Sequence, residues 1–269
     1  MPVPSPSLPF ASRLLRWAGA AWFVAAIIGQ VAFIVFILAF YGTRTATGNF
    51  AGWNDKPLID GYVAGDDLGN LMFIAHVLMA AVVTLGGLMQ LWPALRRRLP
   101  RLHRWTGRVF LIVALFMALS GAWLTIVRGT WLSEISAVAI LGDAVLILVF
   151  AVFAWRRALQ RRFEAHRVWA MRAFMAVSGV WFLRSGLMAW IILCQGPVGM
   201  TKILSGPTDI VLTFGSYLIP LAVLELYLAA GRSPRTAPKI AVAALVCLAA
   251  LYTAVGVFGT AAFMWGPYL

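Results

Sequence analysis

The sequence predicts an all-α polytopic membrane protein with seven transmembrane helices, and three observations carry that prediction. Apolar residues make up 62% of the 269-residue chain and charged residues only 12%, against about a quarter charged in soluble domains. The apolar residues gather into blocks of roughly twenty, the length at which a helix rising about 1.5 Å per residue crosses a hydrocarbon core of roughly 30 Å. Lys and Arg alternate in abundance from one connector to the next. Sixteen lie in the amino-terminal segment and the connectors on one side, four lie in those on the other, and Arg172 and Arg184 fall inside the fifth block. The alternating ten-residue strands of a membrane barrel are absent.

Seven blocks satisfy this pattern, at residues 17–41, 71–92, 109–127, 135–155, 168–193, 210–230 and 240–265. The positive-inside rule puts the amino terminus in the cytoplasm and the carboxyl terminus outside a bacterial cytoplasmic (inner) membrane. The net charge of +13 then reads as topology, with Arg clusters resting on anionic lipid headgroups, and not as a nucleic-acid footprint.

Each element has its own justification. Residues 1–16, opening MPVPSPSLPF, are expected to be a disordered cytoplasmic tail, and residues 17–269 the membrane domain. The first block exceeds a signal-peptide apolar region and lacks a small-residue cleavage site, so it reads as a retained span. The connector 42–69 is the longest and holds Asp55, Asp60, Asp66 and Asp67. Asp66 or Asp67 is expected to cap the second helix; the spacing allows a carboxylate metal site without requiring one. The remaining connectors are short, so consecutive helices should be antiparallel neighbours, with spans two to five (residues 71–193) forming a four-helix core.

Two near-repeats open the third and fifth blocks: RLHRWTGRVF at 101–110 and EAHRVWAMRAF at 164–174. In an up-and-down bundle the third and fifth spans are parallel and diagonal, which sets His103 and His166 at one depth beside the cytoplasm. Two neutral imidazoles on facing helices can hold the iron of haem b, or a divalent metal with further ligands. Arg104 and Arg167 would suit haem propionates. The plainer alternative is that Trp105 and Trp169 anchor the helices at the interface while Arg104, Arg108 and Arg167 meet lipid phosphate.

Ionisable residues inside the blocks are costly in hydrocarbon, so His76, Asp143, Arg172, Arg184 and Glu225 are functional candidates. Counting depth from the helix ends pairs Asp143 with Arg184 and Arg172 with Glu225; the alternative is that such pairs only fix helix register. Gln90 lies about four turns from His76, near the face of Gly87, aiming all three at the bundle axis. Gly86, Gly87, Ser120, Gly121, Gly142, Ser178, Gly179, Ser185 and Gly186 allow close helix approach. Cys194 and Cys247 fall at different depths, which argues against a disulfide.

The run from His76 through TLGGLMQLWPALRRRLPRLHRWTGRVF to EAHRVWAMRAFMAVSGVWFLR resembles the multi-pass bacterial family catalogued as domain of unknown function 2306. The likeness covers residues 71–227 and implies an integral membrane protein without an established activity. More loosely, the chain resembles bis-histidine cytochrome b bundles. His103 and His166 match one ligand pair, but His76 has no partner histidine and Asp143 stands nearest, so at most one haem has a full ligand set. Three functional readings follow. The first is a haem or metal redox protein, with quinone as a partner. The second is a small-solute or proton-linked transporter lined by His76, Asp143, Arg184 and Glu225. The third is a non-catalytic membrane protein locked by ion pairs. No Walker loop, GxSxG, HExxH or CxxC motif is present, so the common soluble chemistries lack their signatures.

Overall fold

The computed structural model describes residues 9–56 and 59–269, and its regular structure is helical, with no strand among the described residues. Among the described residues, six helices are long and apolar enough to cross a membrane: Phe10–Ala46, Asp67–Leu91, Pro100–Ile126, Glu134–Leu159, Pro207–Arg232 and Thr236–Tyr268. A bent pair, Phe163–Val177 and Gly179–Leu193, supplies the fifth of seven spans in chain order. The protein is a multi-pass all-α membrane protein. The expected tail ends sooner than residue 16: residues 1–8 lie outside the described residues, while Phe10 already starts the first helix.

Several helices overrun their apolar blocks. Pro100 occupies the first turn of the third span, where its missing N–H costs nothing and its fixed φ favours helix. The polar stretch before residue 109 is therefore helical and carries His103 on its first turn. The fourth span starts on a reciprocal capping box, in which Ser136 N donates to Ser133 Oγ at 3.2 Å and Ser133 N donates to Ser136 Oγ at 3.1 Å, satisfying two otherwise orphaned amides.

Packing follows the chain in part. The second span packs on the third, the third on the fourth, and the fourth on the first half of the fifth. The second half of the fifth turns away and packs mainly on the seventh and sixth spans, and the first and seventh spans pack closely together. Sequential contacts of the four-helix arrangement expected for residues 71–193 thus run only as far as the middle of the fifth span. The turning point is Ser178, whose ψ of 0° leaves the helical range, and the halves diverge by 53°. Ser-Gly steps are a known cause of sharp kinks, and here a side chain from another helix holds the break: Gln30 Nε2 donates to Ser178 Oγ at 3.1 Å.

At the end opposite the Arg clusters, the described part of the first connector is a folded cap. Trp53 is buried against Phe73, and Asn54 Oδ1 accepts from Gly61 N and Tyr62 N at 2.8 and 2.9 Å. Arg128, from the connector after the third span, donates to Asp66 Oδ2 at 3.0 Å, Asn70 Oδ1 at 2.8 Å and Gly61 O at 3.1 Å. As expected, Asp66 caps the second helix, accepting from Gly69 N at 3.0 Å.

Candidate functional sites at the Arg-rich mouth and the broken span

His103 and His166 each stand on the first turn of their helix, on the third and fifth spans. Both are half-buried, and each lies within reach of the other's charge. His166 Nδ1 is 2.9 Å from Ala154 O. A carbonyl can only accept, so Nδ1 carries a proton, and in the neutral ring the lone pair is on Nε2. His103 Nδ1 is buried without a partner among the described residues. The backbone of that turn is clamped instead: Gln90 Nε2 donates to Thr106 Oγ1 at 2.7 Å and to His103 O at 3.3 Å. Arg104 and Arg167 are both exposed, and Arg167 stands 3.8 Å from Glu164.

Phe110 and Phe174 close the mouth from within. Each follows its histidine by about two turns, roughly 10 Å deeper by helical rise. Both are buried against Gly87, where a Cβ would meet Phe174 Cδ2 at 2.9 Å and Phe110 Cε2 at 3.2 Å. The two imidazoles, the histidine basin, thus lie about two helical turns nearer the Arg-rich end than this pair of packed phenyl rings.

The ionisable residues deeper in the spans separate into one ion pair and three residues without an ionic partner among the described residues. Arg172 and Glu225 form the expected pair, with Nε–Oε1 at 2.7 Å and Nη2–Oε2 at 3.0 Å, and the Arg172 guanidinium lies 4.4 Å from the Trp169 ring centre. The expected pairing of Asp143 with Arg184 does not form. Asp143 abuts Gly179, where a Cβ would meet its Oδ2 at 2.6 Å. Arg184 lies five residues further along that helix, about 140° around its axis at the helical period of 3.6. One helix cannot turn both positions toward the fourth span.

Arg184 faces the first two spans instead. Its guanidinium lies 5.7 Å from the Phe33 ring centre, Nη1 donates to Val180 O at 3.2 Å, and Tyr41, His76 and Lys56 are within reach of its charge. His76 Nδ1 is 2.8 Å from Ser120 Oγ and Gln90 bonds Thr106, so both face the third span, as does Gly87, which packs on Phe110 of that span and on Phe174 of the fifth.

Asp143 Oδ1 and Gln30 Oε1, on either side of the Ser178 break, are both buried without a hydrogen-bond partner among the described residues. Tyr217 joins them: a Cβ on Gly142 would meet its hydroxyl at 3.1 Å. Gln30 and Tyr217 play no part in the sequence-based expectations. Asp209 was also missed: it is fully buried and accepts from Thr201 N at 2.7 Å and Gly206 N at 3.0 Å, which folds the connector before the sixth span. No group of three or more His, Cys, Asp or Glu residues is arranged to hold a metal ion among the described residues. Both cysteines are free.

No curated protein and no solved structure matches the chain. A family model does match, over residues 73–228, a range that takes in the basin, the broken span and both partners of the Arg172–Glu225 pair. The chain belongs to the family of predicted membrane proteins designated DUF2306.

Proposed function

We propose that the protein is a b-type haem-binding redox protein of the bacterial inner membrane, with its amino terminus and its histidine basin on the cytoplasmic side. The observation that carries the reading is the Ala154 carbonyl bonded to His166 Nδ1. A backbone acceptor on one ring nitrogen is the arrangement that fixes a ligating imidazole and raises the basicity of the other nitrogen. His103, on the third span, has a ring nitrogen with no partner among the described residues and lies within reach of the His166 charge. Haem needs only two axial ligands from the protein, whereas a divalent ion needs three or four. With no third acidic, His or Cys ligand nearby among the described residues, haem is the better match. Bound haem would supply one-electron chemistry, with quinone as a membrane-soluble partner. His103 and His166 would hold the iron, exposed Arg104 and Arg167 would meet propionates, and Phe110 and Phe174 would keep water from passing inward.

The test is the oxidised and reduced visible spectrum of protein purified from haem-replete cells. A Soret band is expected, absent from His103→Ala and from His166→Ala and retained in His76→Ala. A colourless preparation overturns the reading.

A second reading, a small-solute or proton-linked transporter, is favoured by the fifth span itself. Discontinuous helices with unpaired polar atoms near mid-membrane are how many transporters build substrate sites. Loss of uptake in Asp143→Asn proteoliposomes, with the Soret band unchanged, would separate this activity from the redox one. The basic clusters would contact anionic lipid under either reading.

A further inference from the structure

The two near-repeats share a Trp-x-x-Arg step, Trp105–Arg108 on the third span and Trp169–Arg172 on the fifth. In both, the guanidinium lies over the indole, 4.9 Å and 4.4 Å from the ring centre. The fifth-span copy is completed within the chain, because Glu225 gives Arg172 a carboxylate at 2.7 Å. The third-span copy is not. Arg108 is exposed and belongs to none of the ion pairs among the described residues. No Asp or Glu occurs between Asp67 and Glu134, so the hairpin of the second and third spans carries Arg96, Arg97, Arg98, Arg101, Arg104 and Arg108 with no acid of its own. The anion that would complete this copy has to come from another molecule.

An apolar groove of about 220 Å³ lies at the same place, between the second and third spans. Val82, Leu85, Gly86 and Met89 line one side, and Trp105 and Val109 the other. Gly86 is its buried member, set so close to the third span that a Cβ there would meet the Cβ of Phe110 at 3.4 Å. Val82, Leu85, Trp105 and Val109 are all exposed on the outer face of the helix pair. From Val82 to Met89 the groove runs about 10 Å along the helix by helical rise. Arg101, Trp105 and Arg108 stand at i, i+4 and i+7, on one face of the third span. Helical side chains lean toward the amino end, which brings the Arg108 guanidinium back over Trp105, at the Arg-rich end of the groove. A hydrocarbon channel thus opens at a pair of guanidinium groups.

We infer that this groove is a binding site for one anionic phospholipid per chain, with an acyl chain laid between the second and third spans along Gly86 and the headgroup phosphate held by Arg108 and Arg101 beside Trp105. A guanidinium presents paired N–H donors that match phosphate oxygens, and Trp and Arg gather at the depth where lipid phosphates lie. The charge balance selects the headgroup. A zwitterionic lipid brings its own cation to six arginines that have no neighbouring acid, whereas an anionic one leaves a net negative charge to offset them. The site uses neither His103 nor His166, so it stands or falls independently of haem.

The test is native mass spectrometry of the full chain, delipidated in detergent and titrated with phosphatidylglycerol or with phosphatidylcholine of the same acyl chains. The first phosphatidylglycerol should bind at least about fivefold more tightly than phosphatidylcholine, the effect of one basic residue beside a lipid headgroup. Arg108→Gln should remove that preference. Val109→Trp, which fills the groove from an exposed position, should weaken the first binding step for both lipids. Both positions are exposed, so the variants should keep the fold, as their helical circular dichroism would verify. Arg156→Gln, at an exposed arginine of the fourth span on the same Arg-rich end, should bind as the wild type does. The inference is overturned if the two lipids bind the wild type equally, or if Val109→Trp changes nothing. It is equally overturned if Arg156→Gln loses as much as Arg108→Gln, since the attraction then belongs to the whole basic end. An adduct with the mass of a quinone, or a dimer without lipid, assigns the groove to another occupant and overturns it too.

Discussion

Individual ionisable residues of this chain have quite different environments, although composition alone would treat them alike. The Arg172–Glu225 pair is bidentate and partly screened, at 24% and 44% side-chain exposure. Removing one partner should cost about 2 kcal/mol, the value of a charged hydrogen bond plus a stranded charge discounted for solvent. Glu225→Gln should show that loss in mixed-micelle equilibrium unfolding. The Arg172→Met, Glu225→Met double variant should lose less than the sum of the singles. Lys56 shows the opposite case. Burial, with the Arg184 charge adding to it, holds its ammonium down to about 8, from an ordinary 10.5. Between those values the unfolded chain binds a proton that the folded chain has released. Stability therefore rises with pH across that window, and the cost of the charged lysine is fully present below it. Acylation of Lys56 should reach half its limiting rate near pH 8; a midpoint beyond pH 10 would show that the lysine is solvated.

At the scale of elements, the broken fifth span is where local sequence and three-dimensional packing part company. Its two halves read as one apolar run, because hydropathy averaged over about twenty residues does not register a single dihedral. The Ser178–Gly179 step was visible as a small-residue contact but not as a hinge. What makes it a hinge is Gln30 from a helix about 150 positions earlier in the chain, and no local pattern announces that contact. The Asp143–Arg184 pairing failed for the same reason, since depth is legible from the sequence but azimuth depends on the bend. Arg172 and Glu225, on unbroken stretches, met as expected. The bend gives a direct prediction. Gly179→Ala places a methyl group against the Asp143 carboxylate, which a Cβ would approach at 2.6 Å. Overpacking of this kind costs about 1–3 kcal/mol. Gly231→Ala, with nothing within 4 Å of its Cβ position, should be harmless in the same unfolding assay, and Asp143→Ala should restore much of the loss in the Gly179→Ala background. A Gly179→Ala variant as stable as the wild type would mean that the carboxylate swings away freely and that the break is not tightly held.

For the molecule as a whole, the features carried by composition were the most legible, because lipid imposes them on every span at once. Apolar length and the absence of strand patterning required helices, and all seven blocks lie on the helices observed. Helix ends were less legible: charged residues at 101–108 continue the third span, since an interfacial helix needs no apolar surround. The asymmetry of Lys and Arg makes a further prediction about the assembled protein. With Cys194 and Cys247 replaced by Ser, single cysteines at Arg101, Arg162 and Arg235 should be blocked by an impermeant maleimide only in inverted vesicles. A cysteine at Lys202 should be blocked in intact spheroplasts. Orientation follows from basic residues near the span ends, so it should also respond to them. Neutralising Arg96, Arg97 and Arg98 together while adding three lysines after Arg128 should give a mixed labelling pattern, with a fraction of molecules inverted. If the single-cysteine set labels from the opposite sides to those expected, the histidine basin faces outward. An electron carrier placed that way would have to draw on reductants outside the cell.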